Sequence, residues 1–267
     1  MSKERKGCKD FKDNIDGLTN RLNINNGYGN NDLQSWLIEQ LRIKDTEEVL
    51  DLGCGDGRHL REISKLTNRD CQGIDYDEKM IDKSNSNSNL TENLQYHHLS
   101  MDDVNESSSP LGDVGYVGNQ FNLIYSLYAF YYSKDSIALL GKLKKRLKEN
   151  GRIAIIGPYG DNNKDWFKFL NQYVELEESI MKSSYSFMDD IKKYADDNFH
   201  MVTTNSFVNT ITLPTYSDLK IYWKSNVYYD SKYDADFEKY ATEHFDNNET
   251  FSYNKRAKLV MMEDMKS

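Results

Sequence analysis

The sequence has few of the residues that cross-link a chain, and no long apolar run. Its 267 residues include only 3 cysteines, which lie on separate predicted elements without paired spacing. This indicates a reducing compartment and no disulfide framework. Residues 1–17 are charged and polar, unlike a secretory signal, and no segment approaches the length of a membrane-spanning helix. We therefore expect a cytoplasmic protein with no membrane partner.

Positive charge is also in deficit. The chain has 43 acidic and 34 basic residues, a formal net charge of −9. Nucleic acids are bound through many Lys and Arg contacts to phosphates, so this balance argues against DNA or tRNA as a partner. The adjacent His97 and His98 would point to opposite faces of a strand, and no Cys/His/carboxylate cluster completes a metal site. We predict neither a nucleic-acid partner nor a bound metal.

Glycine, in contrast, is concentrated at one place. Gly53, Gly55 and Gly57 follow the apolar segment 48–52, and a helix is predicted to begin near Arg58. Glycine lets a ligand touch the backbone and permits positive φ angles where a strand turns into a helix. The helix end offers unpaired N–H groups. The spacing fits neither G-x-G-x-x-G nor a P-loop. It predicts a different kind of nucleoside site.

An acidic residue follows at the end of the second predicted strand. Asp75 closes the apolar run 71–75, eighteen positions after Gly57. In open α/β sheets, ligands bind beyond the carboxyl ends of the strands. A carboxylate at that edge can accept hydrogen bonds from both hydroxyls of a ribose. Asp75 is therefore the predicted ribose ligand.

These motifs resemble those of the class I S-adenosylmethionine (SAM) methyltransferases. Asp51-x-Gly53-x-Gly55-x-Gly57 is similar to the family's first motif, and residues 73–80 (Gly-Ile-Asp-Tyr-Asp-Glu-Lys-Met) to its second. The resemblance extends over about residues 47–157. It implies a three-layer, Rossmann-like α/β fold, whose seven-stranded, mostly parallel sheet ends in an antiparallel strand. SAM would be the cofactor and S-adenosylhomocysteine (SAH) the product.

The resemblance assigns cofactor contacts residue by residue. The family usually has a carboxylate just past the third strand, predicted here at 94–100, to bind the adenine amino group. This chain has Ser100 at that position and Asp102 two residues later, which leaves the contact open between them. The predicted cofactor-binding residues are Asp51, Gly53, Cys54, Gly55, Gly57, Asp75, Tyr76, Met80, Ser100, Met101, Asp102 and Ser126.

The catalytic residues stay unassigned. The sulfonium methyl is already electrophilic, so the protein mainly aligns a nucleophile and excludes water. Aromatic faces can stabilise the sulfonium charge. Those predicted near the strand ends are Tyr128, Phe130, Tyr131, Tyr132 and Tyr159. A base is needed only for a protonated acceptor, and its candidates are Tyr131, His200 and His244.

The rest of the chain is divided by its periodicity. A helix is predicted over 136–149 and a fifth strand over 152–157, followed by helical spacing in a stretch too long for a plain connection. A sixth strand over 206–213, helices over 215–226 and 234–245, and a last strand over 257–262 complete the pattern. We predict an N-terminal cover segment and helix (1–45), a SAM-binding core (46–160), a helical lid insertion (161–205) and C-terminal strands and helices that complete the core (206–267).

Two minor segments carry open predictions. The Asn- and Gly-rich segment 25–30 precedes a predicted helix at 32–42, and Tyr28 either covers the methionine part of SAM or packs in a turn. Residues 84–89 (Ser-Asn repeats) are predicted to form a surface loop.

Three functional hypotheses follow. The first is a SAM-dependent methyltransferase that methylates O, N or C of a small molecule under an aromatic lid. The second is a methyltransferase acting on protein or RNA. The third is a SAM- or nucleoside-binding member that is non-catalytic or catalyses a different reaction. The fourth strand end, Ser126 to Ala129, lacks the Asp/Asn-Pro-Pro-Tyr/Phe typical of the enzymes that methylate amino groups of nucleic acid or glutamine. The acceptor, the use of a base and the oligomeric state stay open.

Overall fold

The computed structural model describes residues 15–86, 91–106, 109–112, 120–176 and 178–265. Its helices are α1 (Ile15–Gly27), α2 (Leu33–Leu41), α3 (Arg58–Ser64), α4 (Glu78–Asn85), α5 (Ser136–Leu143), α6 (Lys164–Leu170), α7 (Glu178–Asn198), α8 (Tyr216–Lys224) and α9 (Asp234–Asn247). Its strands are β1 (Val49–Leu52), β2 (Cys71–Asp75), β3 (Leu94–His98), β4 (Phe121–Leu127), β5 (Leu147–Pro158), β6 (Phe199–Leu213) and β7 (Phe251–Met265). Outside the described residues lie 1–14, with Cys8 among them, and residues 87–89 of the predicted surface loop.

The strands form one seven-stranded sheet in the order β3-β2-β1-β4-β5-β7-β6. β1 pairs in parallel with β2 and β4, β2 with β3, and β4 with β5. β7 pairs antiparallel with β5, from Ile153–Met262 to Pro158–Ala257. Strand order reverses between β1 and β4, so the carboxyl end of β1 lies where such sheets bind ligands. The predicted fold class is confirmed, and the lid insertion stays a prediction.

The chain forms two compact units. The sheet unit comprises Gln34–Tyr159, Tyr185–Ser206 and Ala257–Ser267, and the aromatic unit comprises Met1–Leu33, Gly160–Ser184 and Phe207–Arg256. The sheet unit has a core of aliphatic side chains from its central strands and from α5 and α7. The aromatic unit has a core rich in Trp, Tyr and Phe from α6, α8 and α9. The predicted insertion 161–205 contributes to both units, and the four predicted segments stay a prediction of domain organisation.

The helix predicted over 136–149 is too long. α5 ends at Leu143, a 3-10 turn covers Lys144–Arg146, and β5 begins at Leu147. Arg146 explains the early end, because its buried guanidinium donates to the carbonyl oxygens of residues 104, 111 and 112. The sequence Asn150-Gly151 predicts a left-handed cap at the end of this helix, and Asn150 does have a positive φ of +60. It lies within β5, at a break in the β4–β5 register, and not at a helix cap.

Three strands and one helix differ from the sequence pattern. β3 ends at His98 and not at residue 100. β6 begins at Phe199 and β7 at Phe251, several residues before the predicted starts. Residues 200–206 of β6 are mostly exposed on both faces, so no apolar alternation marks them as a strand. α1, for which we predicted no helix, has only a weak apolar stripe.

Candidate functional site

The three glycines of the turn after β1 all have left-handed backbone conformations. Gly53, Gly55 and Gly57 have φ values of +77, +56 and +71. The backbone N–H groups of Gly53 and Cys54 both donate to the carbonyl oxygen of Ile74, at 2.8 and 2.9 Å. This carbonyl anchors the turn to β2, and α3 begins directly after Gly57. The backbone conformation predicted from the motif is therefore present.

The three glycines meet different surroundings. A Cβ on Gly53 would lie 2.3 Å from the Cβ of Ala129, and one on Gly57 would lie 2.3 Å from the hydroxyl of Tyr96. A Cβ on Gly55 would meet no heavy atom of the described residues within 4 Å. Gly55 therefore lies against open space that a ligand can enter, while the other two glycines admit close packing.

This difference predicts that two alanine substitutions destabilise the protein by different amounts. Gly53→Ala is expected to lower the free energy of unfolding by about 2–5 kcal/mol, because the new Cβ clashes with the Cβ of Ala129 and adds left-handed strain. Gly55→Ala, the matched control, is expected to cost only about 1–2 kcal/mol, because it adds strain without a clash. Urea unfolding of both variants measures the difference. Equal losses would contradict the assigned packing of Ala129 on Gly53.

Asp75 is held against the glycine turn, as its predicted role requires. Its Oδ2 accepts from the backbone N–H of Gly55 and its Oδ1 from that of Asp77, both at 2.9 Å. Burial raises the pKa of the Asp75 carboxyl despite these hydrogen bonds. With these bonds in place, the two carboxylate oxygens still keep lone pairs for a ligand. The carboxylate can therefore accept from two ligand hydroxyls beside the open space at Gly55.

Asp51 lies on β1 as a buried carboxyl group. It is 3% exposed, and the hydroxyl of Tyr125 on β4 donates to its Oδ2 at 2.7 Å. Burial raises the pKa of Asp51 to about 7; the Tyr125 hydrogen bond opposes this rise, and the charge of Asp75 adds to it. The group thus titrates near neutral pH inside the site.

The raised pKa predicts a pH-dependent stability. Because Asp51 keeps its proton in the fold up to about pH 7, the unfolded chain loses this proton first. Stability from this group is therefore full below about pH 4 and is lost as pH rises towards 7. Relative to Asp51→Asn, the protein is expected to lose on the order of 2 kcal/mol between about pH 5 and pH 8, measured by urea unfolding. A constant difference across this range would contradict the assignment.

The predicted adenine region lies in the turn after β3. The Asp102 carboxylate accepts from the Ser133 hydroxyl at 2.6 Å and from the Lys134 backbone at 3.2 Å, which ties it to the segment after β4. The Ser100 hydroxyl accepts from the Asp102 backbone at 3.3 Å. The Met101 side chain reaches the glycine turn, with Cε 3.4 Å from the Cβ position of Gly53. The structure thus brings Met101, but not the Asp102 carboxylate, to the turn.

The other predicted cofactor residues have varied environments. Ser126 is fully buried, and its hydroxyl donates to the Leu52 carbonyl at 2.7 Å, so it braces β4 on β1. Cys54 is buried, and burial raises the pKa of its thiol well above the ordinary value. Tyr76 is 46% exposed at the end of β2, and Met80 is half-buried on α4.

The candidate bases lie on different elements of the chain. Tyr131 packs edge-on against Phe187 of α7, with ring centroids 5.9 Å apart. His200 is exposed on β6 in the sheet unit. His244 belongs to the aromatic unit, where its Nε2 lies 3.0 Å from the Thr250 carbonyl oxygen. Tyr159 is one of the aromatic residues predicted near the strand ends. The Lys258 ammonium lies 4.0 Å from the centroid of its ring.

Sequence reasoning missed two residues that shape the turn. The Tyr96 hydroxyl donates to the Gly57 carbonyl at 3.0 Å, and Tyr125 is the partner of Asp51. Tyr96 pairs in register with Gly73 on the neighbouring strand, and a Cβ on Gly73 would lie 2.8 Å from the Tyr96 ring. A glycine paired with a tyrosine was the available signal, but it becomes visible only once the register is known.

Two features are absent from the described part of the chain. It contains no group of three or more His, Cys, Asp or Glu residues arranged to hold a metal ion. None of its helices is both long and apolar enough to cross a membrane. Cys54 and Cys71 are both free thiols.

Comparison with curated proteins finds methyltransferases. Sterol 24-C-methyltransferase of Kluyveromyces lactis is 24% identical over 201 residues, which cover 72% of this chain and 51% of the relative. Sterol 24-C-methyltransferase erg-4 of Neurospora crassa is 26% identical over 126 residues, which cover 46% of this chain and 30% of the relative. The chain thus spans about half or less of the length of these relatives.

Comparison with solved structures and with family models agrees. YcgJ of Bacillus subtilis has 17% identity and a TM-score of 0.56, over 88% of this chain and 98% of that one. A Bacillus halodurans C-125 protein has 13% identity and a TM-score of 0.59, over 86% and 98%. These two show the shared fold. The model of the methyltransferase domain family matches residues 43–188, more than half of the sequence. The chain therefore belongs to the class I, Rossmann-like methyltransferase family.

Proposed function

We propose that this chain binds SAM in its sheet unit and transfers the sulfonium methyl to a nucleophile on a small molecule. The observation that carries the proposal is the pairing of Asp75 with the glycine turn. Its carboxylate is fixed on the Gly55 backbone, directly beside open space. A buried carboxylate with a raised pKa is better satisfied when further hydroxyl donors approach it. The Asp75 carboxylate is therefore suited to accept from the ribose hydroxyls of a nucleoside.

The parts of the cofactor are assigned to different elements. The ribose hydroxyls would be bound by Asp75, and the methionine part would lie along the backbone of the glycine turn. The adenine contact falls to Ser100 and the Met101 backbone, because the Asp102 carboxylate is already held by Ser133 and Lys134. The remaining cofactor predictions are Asp51, Cys54, Tyr76, Met80, Asp102 and Ser126, and they stay as proposed.

The chemistry needs little from the protein beyond geometry. When bound, SAM supplies an electrophilic methyl group next to a positive sulfur. The chain's residues align the acceptor with the methyl carbon and keep water out. Tyr131 and Phe187 form an aromatic edge in the sheet unit that can pack against an apolar acceptor. No proton relay is required for an acceptor that is unprotonated at working pH.

A small-molecule acceptor is favoured over protein or RNA. The net charge of −9 disfavours RNA, and the curated relatives are named for methylation of a sterol, a small molecule. The alternatives are a macromolecular acceptor and a member that binds SAM without catalysis. A cytoplasmic location is part of the same proposal.

Calorimetric titration with SAM and with SAH tests the cofactor assignment. We expect both ligands to bind with micromolar dissociation constants, and we expect SAH to be released when a panel of small acceptors is added with SAM. Absence of binding by either ligand would refute the proposed function. Binding of both without SAH release from any acceptor, protein and RNA included, would favour the non-catalytic alternative.

A further inference from the structure

Tyr128 follows β4 directly, in a backbone conformation that tyrosine rarely adopts. Its φ is +56, and a positive φ in a bulky residue is a true outlier. Strain of this kind persists only where the surrounding structure enforces it, and it clusters at functional sites. The strain therefore marks Tyr128, at the end of β4, as a candidate for a role in the reaction.

The contacts on both sides of Tyr128 fix this conformation. Its backbone N–H donates to the Ile156 carbonyl of β5 at 2.8 Å. Two residues before it, Ser126 is bonded to Leu52 and fully buried. Two residues after it, Phe130 is 1% exposed in the core of the sheet unit. The chain cannot relax at Tyr128 without breaking one of these contacts.

The same contacts place Tyr128 beside the glycine turn. Ser126 bonds the carbonyl of Leu52, the residue that precedes Gly53. Ala129 packs on Gly53 itself, with its Cβ 2.3 Å from the Cβ position of that glycine. Tyr128 lies between these two attachments. If the methionine part of SAM lies along this turn, as proposed, Tyr128 would lie beside the part of the cofactor that carries the methyl group.

The hydroxyl of Tyr128 is free to bind a ligand. It makes no hydrogen bond to any residue that the structure describes, although its ring is half-buried. Burial raises the pKa of this phenol above its ordinary value, so the hydroxyl keeps its proton at physiological pH. A neutral phenol both donates and accepts hydrogen bonds. It does not act as a strong base.

We infer that the hydroxyl of Tyr128 contacts the atom that receives the methyl group, and that this acceptor atom is a nitrogen or oxygen carrying a hydrogen. The inference rests on the proposed function. The Tyr128 oxygen accepts a hydrogen bond from the acceptor's N–H or O–H, which leaves a lone pair aimed at the methyl carbon. That lone pair forms the new bond, the electrons of the broken S–C bond stay on sulfur, and the acceptor's proton passes to solvent.

Sinefungin tests the position of this hydroxyl without knowledge of the acceptor. This SAM analogue carries a primary ammonium on carbon where SAM carries the methyl on sulfur, so the ammonium can donate to a hydroxyl at the transfer position. We expect Tyr128→Phe to weaken sinefungin binding about tenfold, the loss of one hydrogen bond to a charged group. SAH has no group there, and its affinity is expected to change less than about twofold.

Tyr194→Phe is the matched control, because it removes the hydroxyl of a half-buried tyrosine on α7 that lies 3.9 Å from the Cβ position of Gly141 on α5. It is expected to change neither affinity. Unchanged sinefungin binding by Tyr128→Phe, or equal weakening of sinefungin and SAH, would overturn the inference while the SAM site stands. If the unsubstituted protein binds neither ligand, the proposed function fails first. SAH release with alkenes alone, and not with amines or phenols, would also overturn the inference.

Discussion

Asp75→Ala is expected to weaken the binding of SAM and of SAH about 100-fold or more. The carboxylate of Asp75 is fixed by the backbone N–H groups of Gly55 and Asp77 and keeps lone pairs for a ligand. Two ligand hydroxyls that bond a charged acceptor contribute about 3 kcal/mol together, which corresponds to that factor. Calorimetry measures the loss of affinity. The same factor is expected at several ionic strengths, because a hydrogen bond to a neutral hydroxyl depends little on salt.

Asp77→Ala is the control for this experiment. The Asp77 carboxylate lies at the same strand end, but it caps α4 by accepting from the Lys79 backbone at 3.0 Å. Its removal is expected to cost about 1 kcal/mol of stability and to leave SAH affinity within about threefold. If the two variants bound SAH equally well, Asp75 could not be the ribose ligand. The nucleoside assignment would then lose its main support.

Arg152→Met is expected to lower the free energy of unfolding by about 3–5 kcal/mol, the largest loss in stability that we predict. Arg152 and Glu47 are each 5% exposed and form a double hydrogen bond of 2.6 and 2.8 Å. The guanidinium also donates to the Leu41 carbonyl at the end of α2, at 2.7 Å. The substitution therefore leaves a buried carboxylate without its counter-charge and a helix carbonyl without its donor. Urea unfolding measures the loss.

Two variants and a pH series separate this ion pair from general packing. Arg42→Met removes an exposed partner of Glu263, 3.1 Å away, and is expected to cost less than about 1 kcal/mol. Glu47→Gln combined with Arg152→Met is expected to lose less stability than Arg152→Met alone, because no unpaired charge stays buried. An equal or larger loss in the double variant would contradict the charge argument.

The pH dependence follows from the Glu47 carboxyl. Burial raises its pKa, but hydrogen bonds from Arg152 and the Lys44 backbone, together with their charges, leave the pKa below its ordinary value. A depressed pKa stabilises the fold at pH values above the unfolded pKa of about 4.3. This stabilisation is lost as pH falls through the folded pKa. The difference between Arg152→Met and the unsubstituted protein is therefore expected to shrink below about pH 4.

Local patterns were enough to predict the centre of the sheet and the cofactor turn. β1, β2, β4 and the second half of β5 are mostly apolar and mostly buried, as expected of strands covered on both faces. The spacing of the three glycines and Asp75 carried the site because each of those residues has a backbone or strand-end role. Such roles depend on a few residues that are close together in the sequence.

The missed features depend on partners far away in sequence. The end of α5 is set by the carbonyls that Arg146 bonds, more than thirty residues earlier. The protonation of Asp51 depends on Tyr125, and the fit of Gly57 depends on Tyr96. Hydrophobic periodicity reports only which face of an element is buried, not which side chain lies opposite. These contacts therefore required the register of the strands.

The place of β7 within the sheet has a consequence for synthesis on the ribosome. β7 lies between β5 and β6, and its residues 257–262 pair with β5. Until those residues leave the exit tunnel, the β5 edge at Ile153–Ile156, fully buried in the finished fold, has no strand beside it. An open apolar edge recruits other strands. The nascent chain is therefore most vulnerable to aggregation between the emergence of β5 and that of β7.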